Sequence, residues 1–156
     1  MRTTTLSLDS LNTFVRQVLL AAGYNSQKAE KAAEVLLKAD LRGIDSHGVA
    51  RLSGYLRQMD YQVIRVDAQP AVTHETPSTA NLNADQELGL LAGQEGMRLA
   101  IDKARQVGCG FVTVHNSTHF GIAAAHAELA LHEDMIGMAS TNATPIVAPA
   151  GGVTPK

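Results

Sequence analysis

The sequence predicts a mixed α+β fold, and three observations carry that expectation. Apolar residues recur at helical spacing through the first sixty positions, the spacing switches to alternation between Pro70 and Asn83, and strand-like and helix-like runs interleave from Gln86 onward.

Each element has a local reason. Ser7 and Asp9 can accept hydrogen bonds from the free amides of a helix start, Leu11, Phe14, Val15, Val18, Leu19 and Ala22 form one face, and Gly23 stops the run. Asn25 and Ser26 offer a second cap before Ala29, Ala32, Ala33, Leu36 and Leu37, with Gly43 as the stop. Asp45 and Ser46 offer a third cap, and a helix over about 47–59 puts Val49, Leu52, Leu56 and Met59 on one stripe. Short amphipathic helices bury such stripes only by packing on one another or on something later in the chain.

Beyond Met59, residues 71–76 and 79–83 read as short strands, the first bracketed by Pro70 and Pro77. Helical spacing returns over about 86–107, with Leu91, Met97, Leu99, Ala100, Ile101 and Ala104 inward and Gly108 as the stop. Residues 111–115 read as a buried strand, 116–121 as a polar turn, 122 to about 132 as an Ala-rich helix and 136–140 as a further strand, before a loop-like tail over 144–156. The order divides the chain into a helical region, 1–68, and a strand-and-helix region, 69–156, that lacks a closing element.

Hydrophobic residues at 45% and charged residues at 18%, with 13 Gly and 5 Pro in 156, describe a chain able to bury a core rather than a disordered or collagen-like one. Thirteen Lys and Arg against fifteen Asp and Glu leave a net charge of −2, without a basic stripe or a Trp, which argues against nucleic acid as a partner. The single cysteine, Cys109, has no intrachain partner and reads as a small packed residue at a helix-to-strand junction. The N-terminus has no apolar signal segment and no run approaches the ~18 apolar residues of a membrane span, so the expectation is a soluble cytoplasmic protein with no membrane partner.

The stretch richest in chemistry is Asp45-Ser-His-Gly-Val-Ala-Arg51. At ~100° per residue, Arg51 lies near 40° from His47, while Val49, Leu52, Leu56 and Met59 lie between about 120° and 200°. An imidazole and a guanidinium one turn apart, about 6 Å along the axis, therefore face away from the core stripe and can reach one small anion. The guanidinium can hold a carboxylate through two hydrogen bonds, the imidazole can pass a proton near neutral pH, and Ser46 can add a hydrogen bond. This suits reduction of a 2-oxo acid, whose carbonyl develops alkoxide charge. The same spacing equally suits a solvated His and Arg beside a capped helix start.

A second cluster, His115-Asn-Ser-Thr-His-Phe-Gly121, follows a strand and precedes a helix, where open α/β sheets keep ligands. One alternative makes His115, His119 and His126 metal ligands, but the turn breaks helical registry and no Cys, Asp or Glu stands close, so no metal is expected. Another has one of these imidazoles, His115 before His119, satisfying a buried loop carbonyl. Gly108-Cys-Gly110 leads into a strand, whereas a dinucleotide fingerprint leaves one, so there is no Rossmann signal.

Taken in order, Asp40-Leu-Arg-Gly-Ile-Asp-Ser-His-Gly-Val-Ala-Arg51, then Asn116-Ser-Thr-His-Phe-Gly121, then Ile136-Gly137 with Thr141-Asn142, Pro145, Ala148-Pro149 and Gly151-Gly152, resemble the malate/L-lactate dehydrogenase family of the non-Rossmann type. That family also includes ureidoglycolate and sulfolactate dehydrogenases, diketogulonate reductase and piperideine-carboxylate reductases. The resemblance implies an NAD(P)-dependent oxidoreductase of small 2-oxo or 2-hydroxy acids or related imines, with an unusual nucleotide-binding fold and a homodimeric assembly. It implies His47 and His119 at the reacting centre, Arg51 on the substrate carboxylate with Ser46 beside it, and Thr141 and Asn142 in the nicotinamide environment. Relatives often carry a hydroxyl where this chain has Ala143. They are also considerably longer, so the chain resembles the N-terminal portion of such an enzyme, with the nucleotide-binding α/β region truncated, and is expected to bind NAD or NADP poorly by itself. A catalytically silent oligomerisation or interaction module, and a small His-based metal-binding protein, are the alternatives.

Overall fold

The computed structural model describes residues 5–143 and 151–153. Within them the order is α1 (Leu8–Ala21), α2 (Ser26–Leu41), two 3-10 turns (Asp45–His47 and Val49–Arg51), α3 (Leu52–Asp60), β1 (Ala71–Glu75), β2 (Thr79–Asn83), α4 (Gly89–Val107), β3 (Phe111–His115) and α5 (Ala123–Leu131). This is the expected mixed α+β class. Pro145, Ala148 and Pro149, and most of the expected loop over 144–156, lie outside the described residues.

The first two helices start where short polar side chains can cap them. The Ser7 hydroxyl accepts the Ser10 N–H at 3.2 Å, and Asn25 Oδ1 accepts the Lys28 N–H at 2.9 Å. The chain turns after α1 at Gly23, which adopts a φ of +106° open to glycine at no Cβ cost. Val15 and Leu19 of α1 meet Ala29, Ala32, Ala33 and Leu36 of α2, whose small side chains leave room for the neighbouring backbone. Leu52 and Tyr55 of α3, Ile64, Leu88, Leu90 and Leu91 around the start of α4, and Ile122 and Ala125 near α5 complete one buried cluster that draws on both halves of the sequence.

The sheet order is β1-β2-β3, with β1 antiparallel to β2 and β2 parallel to β3. Helix α4 makes the crossover that a parallel pair requires. It lies close on the sheet: a Cβ on Gly96 would stand 2.7 Å from Val114 Cγ2.

Several expectations from the sequence are corrected. The helix expected over 47–59 is two 3-10 turns followed by α3, because Gly48 takes an extended ψ of −150° between them. Neither Asp45 nor Ser46 caps these turns. The cap comes from α2, where Asp40 Oδ2 accepts the Val49 N–H at 2.9 Å. The helix expected from residue 86 starts at Gly89, since Asp85 and Gln86 have φ of +52° and +63°. Strand β3 is not buried: α4 covers the face bearing Val112 and Val114, while Phe111 on the other face is 67% exposed. Residues 136–140 form no strand, pair with none among the described residues, and leave Ile136 and Met138 exposed. Cys109 is exposed, not packed.

A polar knot ties the helices to the start of α4. Glu87 is 1% exposed, and its carboxylate accepts from the Tyr24 hydroxyl (3.1 Å), the Lys28 ammonium (2.5 Å) and the Leu88 N–H (2.9 Å). Lys28 Nζ also donates to the Ala68 carbonyl at 3.3 Å. Burial, reinforced by the Glu87 charge, raises the pKa of the Tyr24 hydroxyl.

Candidate active site

The two 3-10 turns stand at the end of α2 because Asp40 reaches across nine positions to hold Val49. Gly48 is the only residue type that fits there. Its φ of −89° is open to any residue, but a Cβ would lie 2.6 Å from Asp40 Oδ2 and nearer still to Oδ1. The turns are braced from within as well. Ser46 Oγ and His47 Nδ1 are 2.9 Å apart, and Arg51 Nε donates to the Ser46 carbonyl at 2.5 Å. The other two guanidinium nitrogens of Arg51, an exposed residue, have no partner among the described residues.

The second part of the site is the loop after β3. Thr118 Oγ1 accepts the Gly89 N–H at 3.1 Å, and a Cβ on Gly89 would stand 2.6 Å from the His119 carbonyl carbon, so the first turn of α4 lies directly against this loop. On the far side of the loop, His126 Nε2 donates to the Phe120 carbonyl at 2.7 Å, with the two rings stacked at 5.0 Å. His126 is thus the imidazole that satisfies a loop carbonyl, where the sequence pointed first to His115, an exposed residue at the end of β3. Among the described residues no group of three His, Cys, Asp or Glu is placed to hold a metal.

Burial lowers the His126 pKa, outweighing its bond to the Phe120 carbonyl. With the folded value below the unfolded value of about 6.5, the unfolded chain binds the proton more readily, so this contribution to stability is present above that pH and is lost as pH falls. The thermal midpoint is therefore expected to drop between pH 7.5 and 5, and to drop less in His126→Gln. An equal drop in both proteins would assign the acid sensitivity elsewhere.

These supports bring the two imidazoles together. The ring centroids of His47 and His119 are 5.3 Å apart with planes inclined by 34°. The pKa of His119 is lowered by partial burial first and then by the positive charge of Arg51 and by His47, which favours the neutral ring. Ser46, His47, Arg51 and His119 thus share one locale. No hydrogen bond or ring contact joins them to Thr141 or Asn142 among the described residues; these two are exposed, and the Thr141 hydroxyl donates to the Asn142 carbonyl at 3.2 Å.

Tyr55 is the residue that sequence reasoning missed. Its hydroxyl lies 2.8 Å from His119 Nδ1, and burial pushes its pKa up to about 12 against the opposing charge of Arg51. A signal was available: Tyr55 follows Arg51 by four and His47 by eight, which at ~100° per residue is the same face. It was hidden because an apolar ring near a core stripe reads as packing, which at 2% exposure it also does.

The combination of two imidazoles with a guanidinium beside them can bind a carboxylate and donate a hydrogen bond to an adjacent carbonyl oxygen. A recess of about 850 Å³ between α1, α3 and residues 62–67, lined by Val18, Leu56 and Ile64 together with Asp60, Arg65 and Asp67, contains neither of these imidazoles.

The profile of the malate/L-lactate dehydrogenase family matches residues 6–156. The chain is 44% identical over 145 residues to a malate dehydrogenase of Pyrococcus abyssi, covering 93% of this chain and 40% of that protein. It is 37% identical over 150 residues to a malate/(S)-sulfolactate dehydrogenase of Methanothermus fervidus, covering 96% of this chain and 44% of the other. The solved malate dehydrogenase of Pyrococcus horikoshii OT3 superposes with a TM-score of 0.87 at 37% identity, over 97% of this chain and 45% of that one. The chain therefore spans less than half the length of the relatives it matches.

Proposed function

The chain belongs to the malate/L-lactate dehydrogenase family, and from that membership we propose that its site serves an NAD(P)-dependent oxidoreduction of a small 2-oxo or 2-hydroxy acid. The observation that carries the proposal is the convergence of His47 and His119, 5.3 Å apart, beside Arg51. The malate and sulfolactate named for the relatives share a 2-hydroxy-carboxylate unit, which is the unit these groups fit.

In this reading Arg51, fixed through Nε to the Ser46 carbonyl, offers its remaining nitrogens to the carboxylate. His47 or His119 places an imidazole N–H at the carbonyl oxygen and supplies the proton as alkoxide charge develops, while Ser46 orients the His47 ring. In this reading residues 1–68 carry the DSHG turns and residues 69–156 the His119 loop and the residues proposed for the nicotinamide. A nicotinamide, if bound beside these residues, would supply the hydride chemistry. The exposed hydroxyl and amide of Thr141 and Asn142 fit a carboxamide, which needs one donor and one acceptor. No Lys or Arg lies between 133 and 143 to meet a pyrophosphate, and Ala143 offers no hydroxyl, so these residues fit the nicotinamide end alone. A nicotinamide cofactor, NAD or NADP, and a homodimeric assembly are what the family resemblance implies, while the cytoplasmic location is the expectation read from the sequence.

The test is binding of 2-oxo acids to the protein, read from the histidine ring resonances. Pyruvate, oxaloacetate or sulfopyruvate is expected to shift His47 and His119 and to leave His115 in place. Arg51→Leu is expected to weaken this binding about 10- to 100-fold, with a neutral ketone analogue affected less. Equal losses for the acid and the ketone would remove Arg51 from the carboxylate, and no shift at either histidine would defeat the proposal.

A further inference from the structure

We infer that Tyr55 is a positioning residue that fixes the ring of His119 as the Nε2–H tautomer, so that this imidazole is a proton donor beside His47 and Arg51. The inference deepens the proposed function and rests on it for the identity of the ligand, though not for the geometry.

The hydroxyl of Tyr55 and Nδ1 of His119 are 2.8 Å apart, on residues 64 positions apart in sequence. The direction of this bond follows from what each partner can do elsewhere. A phenol has one proton to donate, and in a residue 2% exposed that proton needs an acceptor. Among the described residues, His119 Nδ1 is the partner recorded for it. Reversal would make Nδ1 the donor and leave the phenolic proton without an acceptor. A neutral imidazole that accepts at Nδ1 carries its hydrogen on Nε2. The neighbouring charge of Arg51 favours the neutral ring, in keeping with the lowered pKa of His119.

His47 is not held in this way. Its Nδ1 is paired with the hydroxyl of Ser46, an exposed residue that can donate or accept. The two imidazoles thus differ: one has its tautomer dictated by a buried phenol, the other is free to exchange. A ring locked with Nε2–H outward donates a hydrogen bond to the ligand's oxygen without rearranging first, which is the pre-organisation that a developing oxyanion rewards.

The experiment is long-range 1H–15N correlation on the histidine-labelled protein, with the His119 signals identified by their loss in His119→Gln. His119 is expected to show a single neutral species with Nε2 protonated. In Tyr55→Phe, which keeps the ring and removes the hydroxyl, the His119 nitrogens are expected to move toward the averaged shifts of exchanging tautomers. The His119 titration midpoint should rise by about half a pH unit or more, because the bond that favoured the neutral ring is gone. His126, held by Phe120 on the other side of the loop, should not change and reports that the fold is intact. An Nδ1–H species in the unsubstituted protein would overturn the inference, whether or not Tyr55→Phe folds, and so would unaltered His119 shifts in a folded Tyr55→Phe. Either failure leaves the Arg51 binding test untouched, so failure of the tautomer assignment and of the dehydrogenase reading are read separately.

Discussion

Gly48→Ala is expected to destabilise the protein by about 2–5 kcal/mol and to abolish the response of His47 to 2-oxo acids. The backbone at Gly48 tolerates any residue, so the effect is steric. The new methyl would occupy the space of the Asp40 carboxylate, which is anchored on α2 and accepts the Val49 N–H. If Asp40 moves, the second 3-10 turn loses its cap; if the turn moves, His47 and Arg51 move with it. Adding Asp40→Ala separates these effects, because removing the carboxylate makes room for the methyl. The double variant is expected to be scarcely less stable than Asp40→Ala alone, measured by urea unfolding. Simple addition of the two costs would show that the clash is not the cause.

Lys28→Met is expected to cost about 3 kcal/mol, since it keeps the aliphatic stem and leaves a carboxylate that is 1% exposed without its countercharge. Tyr24 and the Leu88 N–H would still donate to Glu87, but neither carries charge. Replacing the carboxylate as well, in Lys28→Met with Glu87→Gln, is expected to recover part of the loss, because the buried group is then neutral and still bonded. The consequence reaches the site: Glu87 precedes the turn of α4 against which the Thr118–His119 backbone lies. A Lys28→Met protein of unchanged stability would show that Glu87 finds adequate solvation without the ammonium.

Parts of the molecule governed by neighbours three or four positions apart were legible in the sequence. Ser7 and Asn25 cap the helices they precede, Gly23, Gly43 and Gly108 stand at positive φ where the runs stop, and β1 and β2 occupy the alternating stretches. The DSHG and His-x-Gly blocks were legible as patterns, and their meeting was expected from the family resemblance but not from the spacing of the residues. The third helix misled because Asp45 and Ser46 are good caps in isolation; a carboxylate from α2 takes that role instead and leaves Ser46 to His47. Cys109 and Phe111 misled because apolar character reports a tendency to be covered, and only α4 is there to cover β3 among the described residues.

By itself the sequence determined where α1 and α2 begin and end and that β1 and β2 are extended, because capping, glycine stops and hydrophobic periodicity are contained within a turn or two of chain. Only the tertiary structure decided that Asp40 and Gly48 interlock, that Tyr55 meets His119 and that His126 props the loop. Those contacts join residues six to sixty-four positions apart or turn on the last ångström of a packed surface, and no local pattern encodes either.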